Sequence, residues 1–164
     1  MSRIIALLLA FCSLSAAAQD NRQVTSSANL VGCWSKVDFS DHAKSKINEI
    51  VYPEARFQFF CFEADGTLLT VDSTATIQAK PSELRAAFSE LPKVIAYQVA
   101  KPGIVVMINK NSNQSTGWLS SFTQRDMQFD GKTIPKDTLT MGLIDMAKQK
   151  AVHWRYLVKM VEDK

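Results

Sequence analysis

Short runs of β-branched and aromatic residues, broken by turn-forming dipeptides, dominate the chain. Residues 30–37 (Leu-Val-Gly-Cys-Trp-Ser-Lys-Val) and 56–63 (Arg-Phe-Gln-Phe-Phe-Cys-Phe-Glu) read as strands, because such side chains suit a pleated, partly buried surface. In the long connection 38–54, Ser40 or Asp41 can cap a short helix carrying Ile47, Ile50 and Val51 on one face. Asp65-Gly66 then offers the two positive-φ positions of a tight hairpin leading into 67–77, so this pairing is antiparallel.

Residues 81–91 predict the strongest helix. Pro81 suits a first turn, Leu84, Ala87, Phe88 and Leu91 share a face, and Pro92 ends the run. Strand patterns return at 94–100 and 104–109, joined by Lys101-Pro102-Gly103, which places proline and glycine at the centre of a type II turn. A turn cluster at 110–114 leads into 115–129, one bent strand or two short ones, followed by Asp130-Gly131 and closing strands at 138–144 and 151–160. In the last of these Val152, Trp154, Tyr156, Val158 and Met160 alternate with His153, Arg155 and Lys159, the period of a strand with one buried face. The pattern predicts a mainly β fold, an antiparallel up-and-down barrel of about eight strands with one short helix, because closure removes exposed sheet edges. A two-sheet β-sandwich is the alternative.

The N-terminus has a different pattern: Arg3, an apolar run over 4–11, then small residues ending in Ala16-Ala17-Ala18. This is the layout of a cleavable export signal, residues 1–18. A membrane anchor would need about 20 apolar residues, and serine and alanine dilute the run after Phe11. Phe11 also stands where a lipoprotein signal has a small residue before its cysteine. Cleavage after Ala18 leaves a loose polar leader, 19–28, and a single domain, 29–164, in the periplasm or outside the cell.

Composition is that of an ordinary globular protein, with 46% hydrophobic and 21% charged residues. The formal charge of +3 is scattered along the chain, which argues against nucleic acid as a partner; no stable membrane insertion is expected once the signal is gone. Cys12 leaves with the signal, so Cys33 and Cys61 remain in an oxidising compartment, where one structural disulfide is expected and two buried free thiols are the alternative. Neither belongs to a Cys-x-x-Cys motif, which speaks against a redox pair.

Candidate chemistry is sparse. His42 and His153 are the two histidines, and neither has a metal-ligand spacing. Asp65 and Asp130 sit in turn dipeptides, and neither a glycine-rich phosphate loop nor a serine-nucleophile elbow occurs. The expectation is therefore a protein without catalytic residues, metal or cofactor. Trp34, Phe57, Phe59, Tyr97, Trp118, Trp154 and Tyr156 could line the interior of a barrel as a ligand cavity, or could fill it as a packed core. Asn113-Gln114-Ser115 fits a glycosylation acceptor in a eukaryotic host and a turn in any other.

Gly32-Cys33-Trp34 at the start of the first strand resembles the Gly-x-Trp signature of lipocalins and related calycin barrels. The connection 38–54 resembles the large loop over a lipocalin mouth, and Phe62-Glu63-Ala64-Asp65-Gly66-Thr67-Leu68 is similar to the second hairpin of bacterial lipocalin-like domains. The resemblance implies that Trp34 packs at the closed end of the barrel near an arginine from the chain's end, for which Arg155 is the candidate. It also implies a non-catalytic exported binding protein that holds a small apolar ligand. The alternative is an inhibitor or immunity protein that binds an envelope-acting hydrolase through loops 38–54, 110–114 and 130–136.

Overall fold

The computed structural model describes residues 21–47, 56–75, 78–89 and 92–163. The export signal read at 1–18, and Ile50, Val51 and Leu91 of the expected helix faces, lie outside the described residues. In chain order the elements are β1 (Asn21–Gln23), β2 (Gly32–Lys36), α1 (Asp41–Lys46), β3 (Phe57–Phe62), β4 (Thr67–Ser73), α2 (Pro81–Phe88), β5 (Ile95–Lys101), β6 (Ile104–Asn109), β7 (Gln114–Thr123), β8 (Met127–Phe129), β9 (Lys132–Ile134), β10 (Leu139–Asp145) and β11 (Lys150–Lys159).

Eight strands, β2 to β7 with β10 and β11, each pair antiparallel with the next, and β11 returns to β2. This is a closed up-and-down barrel. Strands β8 and β9 form a separate hairpin in the connection between β7 and β10, turning through Asp130 and Gly131, both at positive φ (56° and 68°). The Asp65-Gly66 turn differs from expectation, because only Gly66 is at positive φ, 82°. Asp65 instead accepts the Thr67 amide hydrogen on its side chain at 2.8 Å, an Asx turn that needs no left-handed residue.

The polar leader is not loose over its described part. Strand β1 pairs with Ser121–Thr123 of β7, where β7 runs on past the last residue paired with β6, Leu119. Val24 and Leu30 follow it into the core at 0% exposure. Backbone pairing requires no apolar side chains, so periodicity carried no sign of this strand.

Among the described residues two α-helices accompany the barrel, the shorter being the one that Ser40 or Asp41 was expected to cap. Ser40 caps α1 by accepting from the Ala43 amide at 3.2 Å. Helix α2 lies outside the barrel on β3 and β4, burying Leu84 and Phe88 against Phe59, Leu69, Cys33 and Cys61; Ala87, expected on the same face, is exposed. Arg85 anchors this helix, its guanidinium bonded to Glu63 at 2.9 Å and to both oxygens of Glu162 at 2.8 and 3.0 Å. Beneath α2 the cross-strand neighbours Cys33 and Cys61 form a disulfide, both fully buried. A second outer layer, α1 with the β8–β9 hairpin, packs Phe39, Ala43 and Ile134 around Tyr156.

Candidate ligand-binding interior

Alternation along the strands decides which side chains enter the barrel. The interior cluster contains Trp34, Phe60, Phe62, Leu68, Tyr97, Val105, Trp118, Phe122, Leu139, Met141 and Leu157. Of the seven aromatic residues expected there, Trp34, Tyr97 and Trp118 are inside. Phe57 and Phe59 face outward beneath α2, while Phe60 and Phe62 occupy the interior face of the same strand. Tyr156 belongs to the outer layer, with Phe39 edge-on at 5.5 Å. Trp154 also lies outside, over Gly142, where an added Cβ would come within 3.0 Å of the indole.

The last strand is thus turned inside out relative to expectation. A bulge accompanies the change in register between Gly142 and Leu143, and His153 takes φ 54° there, an arrangement that shifts the alternation by one residue. Leu157 pairs with Leu139, and Arg155 stands opposite Met141. The Arg155 guanidinium rests 5.1 Å from the Trp118 ring and 5.7 Å from the Phe60 ring. A cation accommodated over aromatic faces can occupy an otherwise apolar interior.

The two ends of the barrel are finished differently. At one end lie the turns at 63–66 and 102–103, the 124–138 connection and the N-terminal segment. There the Trp34 indole donates to the Leu30 carbonyl at 2.7 Å, and Tyr97 donates to the Glu63 carbonyl at 2.8 Å with its ring edge-on to Phe62 at 4.9 Å. Burial pushes the Tyr97 hydroxyl pKa up. The cation over Trp34 is Lys159, at 5.4 Å, and not Arg155 as the lipocalin resemblance implied. Gly32 makes room for it: its φ is 123°, and a Cβ there would stand 2.9 Å from Lys159 Cε. This end is closed and packed.

Toward the other end, interior-facing Ile95, Met107 and Leu143 are partly exposed at the margin of the cluster, as is Arg155. Gln58, on the face shared by Phe60 and Phe62, donates to Asp72 across the β3–β4 pair at 2.9 Å. Aliphatic and methionine side chains with a guanidinium among them therefore make up the partly exposed margin of the interior. Phe60, Met107, Leu143 and Lys159 also line or border this interior, although the sequence pattern does not single them out. The sign that could have exposed the first was the unbroken aromatic run of β3, which reports burial on both faces.

His42 is an exposed residue of α1, and His153 belongs to the bulge. Among the described residues no group of three or more His, Cys, Asp or Glu side chains is placed to hold a metal ion, and no helix is long and apolar enough to cross a membrane. Of the three loops considered for protein binding, the described part of 38–54 meets 130–136. The Asp130 carboxylate accepts from the Ser40 hydroxyl at 2.7 Å, and Lys132 donates to the Asp38 carbonyl. Asp38 also takes Lys44 at 2.8 Å and Arg56 at 3.0 Å on its carboxylate. Loop 110–114 belongs to the β6–β7 turn at the partly exposed end. No protein-family model, curated protein or solved structure matches the chain.

Proposed function

We propose that this is an exported, non-catalytic binding protein with a lipocalin-like barrel, holding a small apolar ligand at the less covered end of its interior. The observation that carries the reading is the gradient of burial inside one barrel: fully covered around Trp34, and partly exposed at Ile95, Met107, Leu143 and Arg155. An eight-stranded barrel has room for a packed core or for one small ligand, and the partly exposed half is the cup we assign to the ligand.

Native mass spectrometry of protein purified from its own host tests this. A reproducible small-molecule adduct, lost on unfolding, is the expected result; a bare polypeptide mass in every preparation, with no binding from a panel of apolar compounds, overturns it.

The second reading is an inhibitor or immunity protein. Its support is the bonding of loop 130–136 to α1 and the residues before it, which holds two of the three candidate loops as one preorganised ridge. A stoichiometric envelope hydrolase recovered with the protein, together with an empty barrel, would favour that reading over the first.

A further inference from the structure

The outside of the closed end carries a groove that the cup does not use. Its volume is about 360 Å³, within the range of small-molecule sites. Arg22 and Lys159 stand over its two aromatic residues, Arg22 at 5.2 Å from the Phe122 ring and Lys159 at 5.4 Å from Trp34. Those rings are themselves stacked at 6.1 Å. Lys136 adds a third cation and Asp137 the single carboxylate, which bonds Arg22 at 3.1 Å. The lining therefore holds three positive groups against one negative, and Pro135 and Val158 supply apolar surface between them. Packing on the rings restricts where two of the charges can go, so the cations border an apolar floor and are not spread over open surface.

We propose that this groove is a second binding site, selective for small organic anions, carboxylates or phosphate monoesters, that carry an apolar body. The anionic group meets Lys136 and Lys159, and the body lies on Pro135 and Val158. Binding here is independent of the cup, because the groove is on the other side of the Trp34 plug.

Titration of the isotope-labelled protein with phenyl phosphate, inorganic phosphate and phenol, followed by amide and indole NMR, tests the site. Phenyl phosphate should shift the Trp34 indole N–H and the amides of Lys136, Asp137 and Lys159 saturably. Inorganic phosphate should bind about tenfold more weakly and phenol should leave these signals unmoved, since both charge and apolar contact contribute. Lys136→Gln, an exposed substitution remote from the core, and Lys159→Gln should each weaken phenyl phosphate binding by about three- to tenfold, with the remaining spectrum native-like. Equal binding of inorganic phosphate and phenyl phosphate, shifts confined to the barrel cup, no saturable shift up to about 10 mM, or unchanged affinity in both variants would each overturn the proposal.

Discussion

The two ends of the barrel interior are walled by similar residues and differ in what covers them. At the closed end Leu30, Phe62, Leu139 and Leu157 are at 0% exposure and Trp34 at 2%, because the segment from Val24 to Leu30 folds across the opening. At the opposite end the turns 110–113 and 146–149 are exposed throughout, and Ile95, Met107 and Leu143 keep part of their surface in contact with solvent. An interior of one chemical character is thus fully buried where segment 24–30 completes it and, among the described residues, partly exposed at the opposite end.

Truncating one side chain at each end should separate the two most widely. Trp34→Ala should destabilise by about 3 to 5 kcal/mol in urea unfolding, through lost burial and the cavity left behind. Met107→Ala should cost much less, about 1 kcal/mol, because the side chain gives up less buried surface. Equal losses at the two positions would mean that the ends are packed alike.

Next in size is the staple on the outer wall of the closed end. Replacing Cys33 and Cys61 together by alanine should lower stability by about 3 to 4 kcal/mol, from loop closure across a sequence separation of 28. In the unreduced native protein neither sulfur should react with an alkylating reagent.

A smaller effect is expected at the Asp38 hub, which ties α1 to the barrel's outer face. Partial burial raises the Asp38 pKa, but hydrogen bonds and charge from Lys44 and Arg56 outweigh it and hold the carboxyl below its ordinary range. A depressed folded pKa means that the stabilisation is complete above the unfolded value, about 3.9, and is lost as pH falls through the folded value. Asp38→Asn should therefore cost about 2 kcal/mol at neutral pH, partly because Lys44 is left buried without this partner. The gap from wild type should close by about pH 2. Hydrogen exchange should show α1 and the β8–β9 hairpin loosening while β2 and β3 stay protected.

The sequence announced strands and most turns through local chemistry: alternation, Pro102-Gly103, Asp130-Gly131, and the proline at the start of α2. It was less informative about sides. A period of two states which residues share a face but not which face is enclosed, and in this barrel the outside is apolar too, covered by α2 in one region and by α1 with the β8–β9 hairpin in another. The pattern therefore assigns Phe57, Phe59, Trp154 and Tyr156 to the interior although they serve the outer layers. The bulge at His153 shifts the alternation within β11, and the cations Arg155 and Lys159 look like a solvent face because the aromatic rings they rest on are distant in sequence. The disulfide was legible by counting, since two cysteines follow the stretch with the pattern of an export signal; the cation over Trp34 was not, because only the register of β11 against β2 selects Lys159.

The interior holds one buried and one partly exposed methionine, Met141 and Met107, and their methyl groups report on the two environments separately. Methyl NMR of methionine-labelled protein, titrated with a medium-chain fatty acid as the apolar probe, tests whether the less covered end takes a ligand. The Met107 signal should move saturably while Met141 stays in place; an unmoved Met107 at saturating probe, or equal movement of both, would contradict a ligand cup at that end.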